Sequence, residues 1–151
     1  MIGLLQRISD ARVEVNGETV AAVGAGLLVL VGVQNGDDES HADRLLERLL
    51  SFRVFPDYEG KMNRDVREVA GDLLLVPQFT LAADTRKGTR PSFSYAAPPD
   101  ESKALFDYLL KQSRAKHDRV DAGQFGAHML VSLTNDGPVT FWLEVPSNPT
   151  K

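Results

Sequence analysis

The sequence contains no cysteine. That absence excludes a disulfide framework, a thiolate zinc site and a cysteine nucleophile, and it fits a reducing compartment. Histidine is scarce. His41, His117 and His128 stand far apart without the spacing of metal ligands, so neither a metal nor another cofactor is expected. No serine sits in a Gly-x-Ser-x-Gly elbow. No apolar run approaches the length of a membrane span, and the start, "MIGLLQRISDARVEV", meets charge too early for a signal peptide. A soluble cytoplasmic protein is the expectation. Excess positive charge is lacking as well: 17 Lys and Arg against 21 Asp and Glu leave a net charge of −4. A non-specific duplex binder carries more cations than that. A protein that grips only the end of a nucleic acid needs no more than a local patch, and Arg86, Lys87 and Arg90 supply one. A merely solvated loop would look the same.

What is present reads as one domain. A chain of 151 residues can bury a core without covalent staples. Residues 2–9 and 11–15 alternate as strands, and Asn16-Gly17 is a strong hairpin signal before a return strand at 18–23. "GAGLLVLVGV" turns at Gly24 and Gly26 into a fully buried strand, 27–33. As a phosphate loop it lacks the third glycine and the helix that should follow. The segment from Asn35 to Phe52 is a helix that Asp37, Asp38 or Ser40 can cap. Its apolar stripe is Ala42, Leu45, Leu46 and Leu49. Residues 53–55 read as a short strand, "PDYEGKMNRD" as a polar excursion, and 72–80 as a core strand. A second helix spans about 100–115 with Leu105, Phe106 and Leu109 inward. "VDAGQFGAH" reads as irregular, and 129–145 as strand, turn, strand. Two helices among seven or eight strands give an α/β fold with a mixed sheet and helices on one side. Residues 1–146 form the single domain and 147–151 a loose tail.

Two segments remain odd. In Pro77-Gln78-Phe79-Thr80, Pro77 removes a ladder donor, so the strand ends, bulges or lies at an edge there. Backbone N–H groups just beyond it are then free for a ligand. Phe79 offers a face on which a nucleobase can stack, and Thr80 a hydroxyl. A core phenylalanine and a strand-favouring threonine would read alike. In Asn135-Asp136-Gly137-Pro138-Val139-Thr140 the first three residues signal a turn. Pro138 adds a bond that can be cis and a rigid loop that presents carbonyl oxygens. Such a loop suits a steric gate and does not suit a nucleophile.

Together and in this order, the two segments resemble the motifs Ser-Gln-Phe-Thr and Asn-x-Gly-Pro-x-Thr of the D-aminoacyl-tRNA deacylase (D-tyrosyl-tRNA deacylase) family. "LLQRISDARVEVNGE", "GLLVLVGV", "KMNRDV", "ADTRKGTRPSFS" and "VSLTNDGPVTFWLE" are similar to family segments in place and order, over residues 2–145. The resemblance implies a fold of stacked β layers with helices on one side. It implies a homodimer that hydrolyses the ester between a D-amino acid and the tRNA terminal adenosine, and removes glycine from mischarged tRNA. The Gly137-Pro138 bond should be cis. Each subunit should insert this loop into its partner's pocket, with Arg7 bracing it and Asn135 and Thr140 supporting it. Gln78, Phe79 and Thr80 should line the pocket. Water would be activated with the help of the tRNA's own terminal 2′-hydroxyl, and Thr80 as direct nucleophile is the older alternative. Arg86, Lys87 and Arg90 would hold the RNA. Position 77 departs from the family, with Pro in place of Ser; Phe79 and "NDGPVTF" keep the D-specific pattern. Two rivals stay open: a tRNA-end binding module without catalysis, and a hydrolase of small D-amino acid esters.

Overall fold

A computed structural model describes residues 1–147. The first strand, β1 (Ile2–Val15), is continuous where the alternation suggested two pieces. Asn16 and Gly17 both take positive φ, 51° and 79°, as a tight hairpin turn requires. The chain then returns as β2 (Glu18–Val23). β3 (Gly26–Gly32) follows, antiparallel to the first half of β1, while β2 pairs with its second half. β1 thus carries two neighbours on one edge, one after the other. Gly26 is needed where β3 begins, because a Cβ there would lie 1.9 Å from the Asp72 carbonyl oxygen.

Asp38 caps α1 (Glu39–Ser51), accepting from the amides of Ser40 and His41, and the His41 ring accepts from the Asp38 amide in return. The polar excursion is a small hairpin, β4 (Phe55–Pro56) with β5 (Met62–Arg64). β6 (Asp72–Pro77) runs parallel to β3. After it come α2 (Pro99–Lys116), β7 (Val120–Ala122) parallel to β6, and β8 (Leu130–Glu144) antiparallel to β1 along nearly its whole length. The order across the sheet is β2-β1-β3-β6-β7, with β8 on the other edge of β1. No helix of the described residues is long and apolar enough to cross a membrane.

The core lies on both faces of β3 and β6, which explains their unbroken apolar runs. On one face Leu27, Val29, Val31, Leu73 and Leu75 pack against Leu45, Leu46 and Leu49 of α1 and Leu105, Phe106 and Leu109 of α2. On the other, Leu28, Leu74 and Val76 meet Ile8, Ala11, Val13 and Ala21. The far half of β1 and β2 therefore fold over as a second β layer, with both helices on the opposite side.

Three expectations are corrected. The strand expected over 72–80 stops at Pro77, and Phe79–Ala82 winds into a 3-10 turn. The last ladder bond toward β7 runs from the Gly123 amide to Leu75 O, 2.9 Å; Pro77 has no N–H to continue that edge. The strand, turn, strand expected over 129–145 is one strand. Pairing jumps from Ile8↔Asn135 to Gln6↔Thr140, so residues 136–139 are extruded as a wide bulge while the chain keeps its direction. The glycine-rich segment expected as irregular begins within β7, whose three residues are too few to show a period. Ser147 lies within the described residues and donates to Asp37 Oδ1 at 2.8 Å; residues 148–151 of the expected tail lie outside them.

Candidate active site

The end of β6 and the bulge of β8 hold the two odd segments, and each is locally determined. At the end of β6, the Gln78 amide makes a last bond to Val31 O at 2.8 Å. The turn is then closed by Leu81 N to Gln78 O and Ala83 N to Thr80 O. Among the described residues the amides of Phe79 and Thr80 donate to no main-chain carbonyl, as the first turn of any helix leaves them. The Gln78 side-chain amide donates to Thr80 Oγ1. That hydroxyl has no carboxylate or imidazole bonded to it. The Phe79 ring is 57% exposed.

Beside this turn lies a cavity of about 460 Å³, mainly apolar, lined by Pro77, Gln78, Phe79, Phe125, His128 and Met129 among others. Thr80 stands outside that lining, on the exposed side. Sequence reasoning missed Phe125, His128 and Met129. Their one available signal was an aromatic ring inside a glycine-rich loop, "AGQFGAH". Two other hollows touch neither motif, and in one of them Arg67 and Arg119 are already paired with Asp65 and Asp72.

The bulge is held from both flanks. Arg7 donates through Nε to Asp136 O at 2.8 Å and through Nη1 to Val54 O at 2.6 Å. The Asn135 side chain spans the neck, donating to Val139 O at 3.1 Å and Thr140 Oγ1 at 3.0 Å and accepting from the Val139 amide at 2.7 Å. Gly137-Pro138 is cis, and both residues are exposed. Gly137 sits at φ 154°, and a Cβ there would meet Val139 Cγ2 at 2.6 Å. So Arg7, Asn135, Gly137, Pro138 and Thr140 lie together at the bulge. They do not join Gln78, Phe79 and Thr80 within one chain. Arg7 is level with Leu27 of β3, and Leu27 with Leu73; Pro77 lies four residues further along β6. That offset is about 13 Å along the strands alone.

Arg86, Lys87 and Arg90 are exposed on the loop that follows. Arg86 is engaged: Nε and Nη2 reach the two Asp84 carboxylate oxygens, each at 2.9 Å, and Nη2 also donates to Tyr95 Oη at 2.7 Å. The side-chain bonds from Arg86 hold the Asp84 carboxyl at about 2, below the ordinary carboxylate range. Lys87 and Arg90 make no ion pair within the described residues. Those residues also contain no group of three or more His, Asp or Glu arranged to hold a metal.

Residues 4–144 match the family model described as D-Tyr-tRNA(Tyr) deacylase. The D-aminoacyl-tRNA deacylase of Nitrosococcus oceani is 60% identical over 146 residues, 97% of this chain and 94% of that protein. The D-aminoacyl-tRNA deacylase of Thioalkalivibrio sulfidiphilus is 61% identical over 146 residues, 97% and 98% of the two chains. Among solved structures, a c-Myc DNA Unwinding Element Binding Protein superposes with TM-score 0.93 at 36% identity, over 97% of this chain and 99% of that one. A probable eukaryotic D-amino acid tRNA deacylase shares the fold, with TM-score 0.82 at 20% identity over 95% and 98% of the chains. With its motifs in place and nearly its whole length matched, the chain belongs to the D-Tyr-tRNA(Tyr) deacylase family and is, with it, a hydrolase.

Proposed function

We propose that this protein hydrolyses the ester between a D-amino acid and the terminal adenosine of tRNA, and releases glycine from mischarged tRNA, as a cytoplasmic homodimer that proofreads translation. The observation that carries the reading is a mainly apolar pocket lined by Gln78 and Phe79, at whose edge the Thr80 hydroxyl takes a bond from Gln78 and, among the described residues, has no carboxylate or imidazole bonded to it. Such a site positions an ester rather than attacks it. The adenosine stacks on Phe79. Water, activated with the help of the terminal 2′-hydroxyl, adds to the ester carbonyl. The Phe79 and Thr80 amides face the oxyanion that forms, a contact whose loss costs about 2.7–4 kcal/mol in related sites. The bond to the ribose oxygen then breaks, releasing amino acid and tRNA. Lys87 and Arg90 meet RNA phosphates, and Arg86 is the third cation of that loop.

Selectivity comes from the bulge of the other subunit. Carbonyls around Gly137-Pro138 hold the substrate α-amino group and leave no room for an L side chain. The offset between bulge and pocket within one chain supports a contribution in trans. So does the free outer edge of β8, with Phe141 and Trp142 38% and 52% exposed. Magnitudes favour exclusion over attraction. Thousandfold discrimination needs about 4 kcal/mol, while one net hydrogen bond supplies about 0.5–1.5 kcal/mol. A steric gate also admits glycine, which has no side chain to refuse.

The test is incubation with D-Tyr-tRNA, L-Tyr-tRNA and glycyl-tRNA charged on a non-cognate tRNA. Release of D-Tyr and glycine with L-Tyr retained is expected. Binding without release from any of the three would identify a tRNA-end binding module instead. Turnover of D-amino acid esters that carry no RNA would identify a small-ester hydrolase.

A further inference from the structure

Phe93 is exposed in a loop of polar residues, yet its ring is not isolated. Its centroid lies 5.1 Å from that of Phe79, with the planes at 50°. Phe79 and Phe93 are 57% and 42% exposed, so each keeps a face open to solvent. Stacked bases repeat at about 3.4 Å, so a base between two rings needs centroids about 6.8 Å apart. The observed pair is too close for that. The two rings form a stepped surface that can take one base on each step, not a slot for one base.

The loop carrying Phe93 is tied down with unusual care for an exposed segment. Asp84 and Ser92 exchange both backbone bonds, at 2.7 and 3.0 Å. Arg86 forks onto Asp84, donates to the Tyr95 hydroxyl, and lies 5.6 Å from the Tyr95 ring centroid. Asn35 holds the far side, through its amide to Tyr95 O at 2.9 Å and its side chain to Ser94 O at 2.7 Å. Nε and Nη2 of Arg86 are engaged inside the loop, and Nη1 makes no bond among the described residues. At the same loop Lys87 and Arg90 are exposed and make no ion pair among the described residues. Exposed rings beside free cations are the combination that binds single-stranded nucleic acid.

We propose that Phe93 is a second base-stacking position for the unpaired 3′ end of tRNA, taking the nucleobase that precedes the terminal adenosine, and that Arg86 is a positioning residue that fixes this ring rather than an RNA contact. The proposal rests on the tRNA-end reading of the site but needs no turnover. It assigns the two steps to successive nucleotides, with the chain of phosphates passing Lys87 and Arg90.

The test is NMR titration of the protein with the trinucleotide CCA and with adenosine alone, which separates binding from hydrolysis. Wild type binds the trinucleotide more tightly. Phe93→Ala weakens trinucleotide binding about tenfold more than adenosine binding, about 1.4 kcal/mol, whereas Phe93→Trp preserves it. Arg86→Ala shows the same selective loss, and the double variant adds little to either, as expected of groups acting through one another. Equal weakening of both ligands by Phe93→Ala overturns the second position, as does a wild type that prefers neither ligand. Additive losses in the double variant overturn the positioning role and make Arg86 a direct contact. Failure to hydrolyse D-aminoacyl-tRNA with these binding results intact would instead remove the catalytic reading and leave this one standing.

Discussion

Arg7 holds two carbonyls that are far apart in the chain, Asp136 O and Val54 O, and so fixes the bulge to the body of the protein. Its planar fork suits this task and a lysine ammonium does not. Arg7→Lys should lower the ratio of D-Tyr to L-Tyr release by about tenfold, about 1.4 kcal/mol, measured as paired rates on the two charged tRNAs; an unchanged ratio would remove Arg7 from the gate. Thr80 is the contrasting case. Its hydroxyl receives a bond from Gln78 and has no base partner, so Thr80→Ala should keep kcat within about tenfold of wild type. An activated nucleophile would lose far more, and a dead Thr80→Ala protein with an intact pocket would restore the nucleophile reading. Much of this was legible in sequence because the residues of the proposed chemistry fall in two contiguous motifs. Phe93 and Met129 were not, because a side chain in a loop acquires a role only through what the fold sets beside it.

At the scale of elements, the helices and buried strands were readable because their period reports their burial. The stripe of α1 and the apolar runs of β3 and β6 each face a packed neighbour. The bulge of β8 was not readable: Asn-Asp-Gly is turn chemistry, and only the continuous partner β1 shows that the chain extrudes four residues and carries straight on. The start of α1 yields an acid-sensitive contribution. The Ser40 hydroxyl, donating to its carboxylate, and the His41 amide lower the Asp38 carboxyl to about 2, against about 3.9 in an unfolded chain. A depressed folded value means the cap contributes fully above about pH 4 and is lost as pH falls toward 2. Asn caps helices as well as Asp but does not titrate. Asp38→Asn should therefore lose less Tm than wild type between about pH 7 and pH 3. Parallel Tm curves for the two proteins would show that the cap is not the titrating element.

At the scale of the whole molecule, the bulge is level, through β1 and β3, with the start of β6, whereas the pocket lies at its end, so under the proposed reading a single chain would present a gate with nothing to guard and a pocket with no gate. The symmetric dimer proposed above would resolve both at once, since an isologous interface would carry each bulge to the other subunit's pocket. The free edge of β8 and the exposed Phe141 and Trp142 offer the surface for it. This arrangement makes a prediction that no intrachain gate shares. Phe79→Ala damages the pocket of its own chain. Gly137→Val damages the bulge, because the substituted Cβ would collide with Val139 in a backbone conformation reserved for glycine. Each variant alone should be inactive. Unfolded and refolded together in equal amounts, they should give about half mixed dimers, and each mixed dimer holds one site with an intact pocket and an intact partner bulge. Activity should then return to about one quarter of wild type, as random pairing in a two-fold dimer requires. Were the gate to act within one chain, every site in the mixture would carry one defect and no activity would return. Circular dichroism of each variant before mixing separates a damaged gate from a damaged fold, and the recovered fraction then reads directly which subunit guards which pocket.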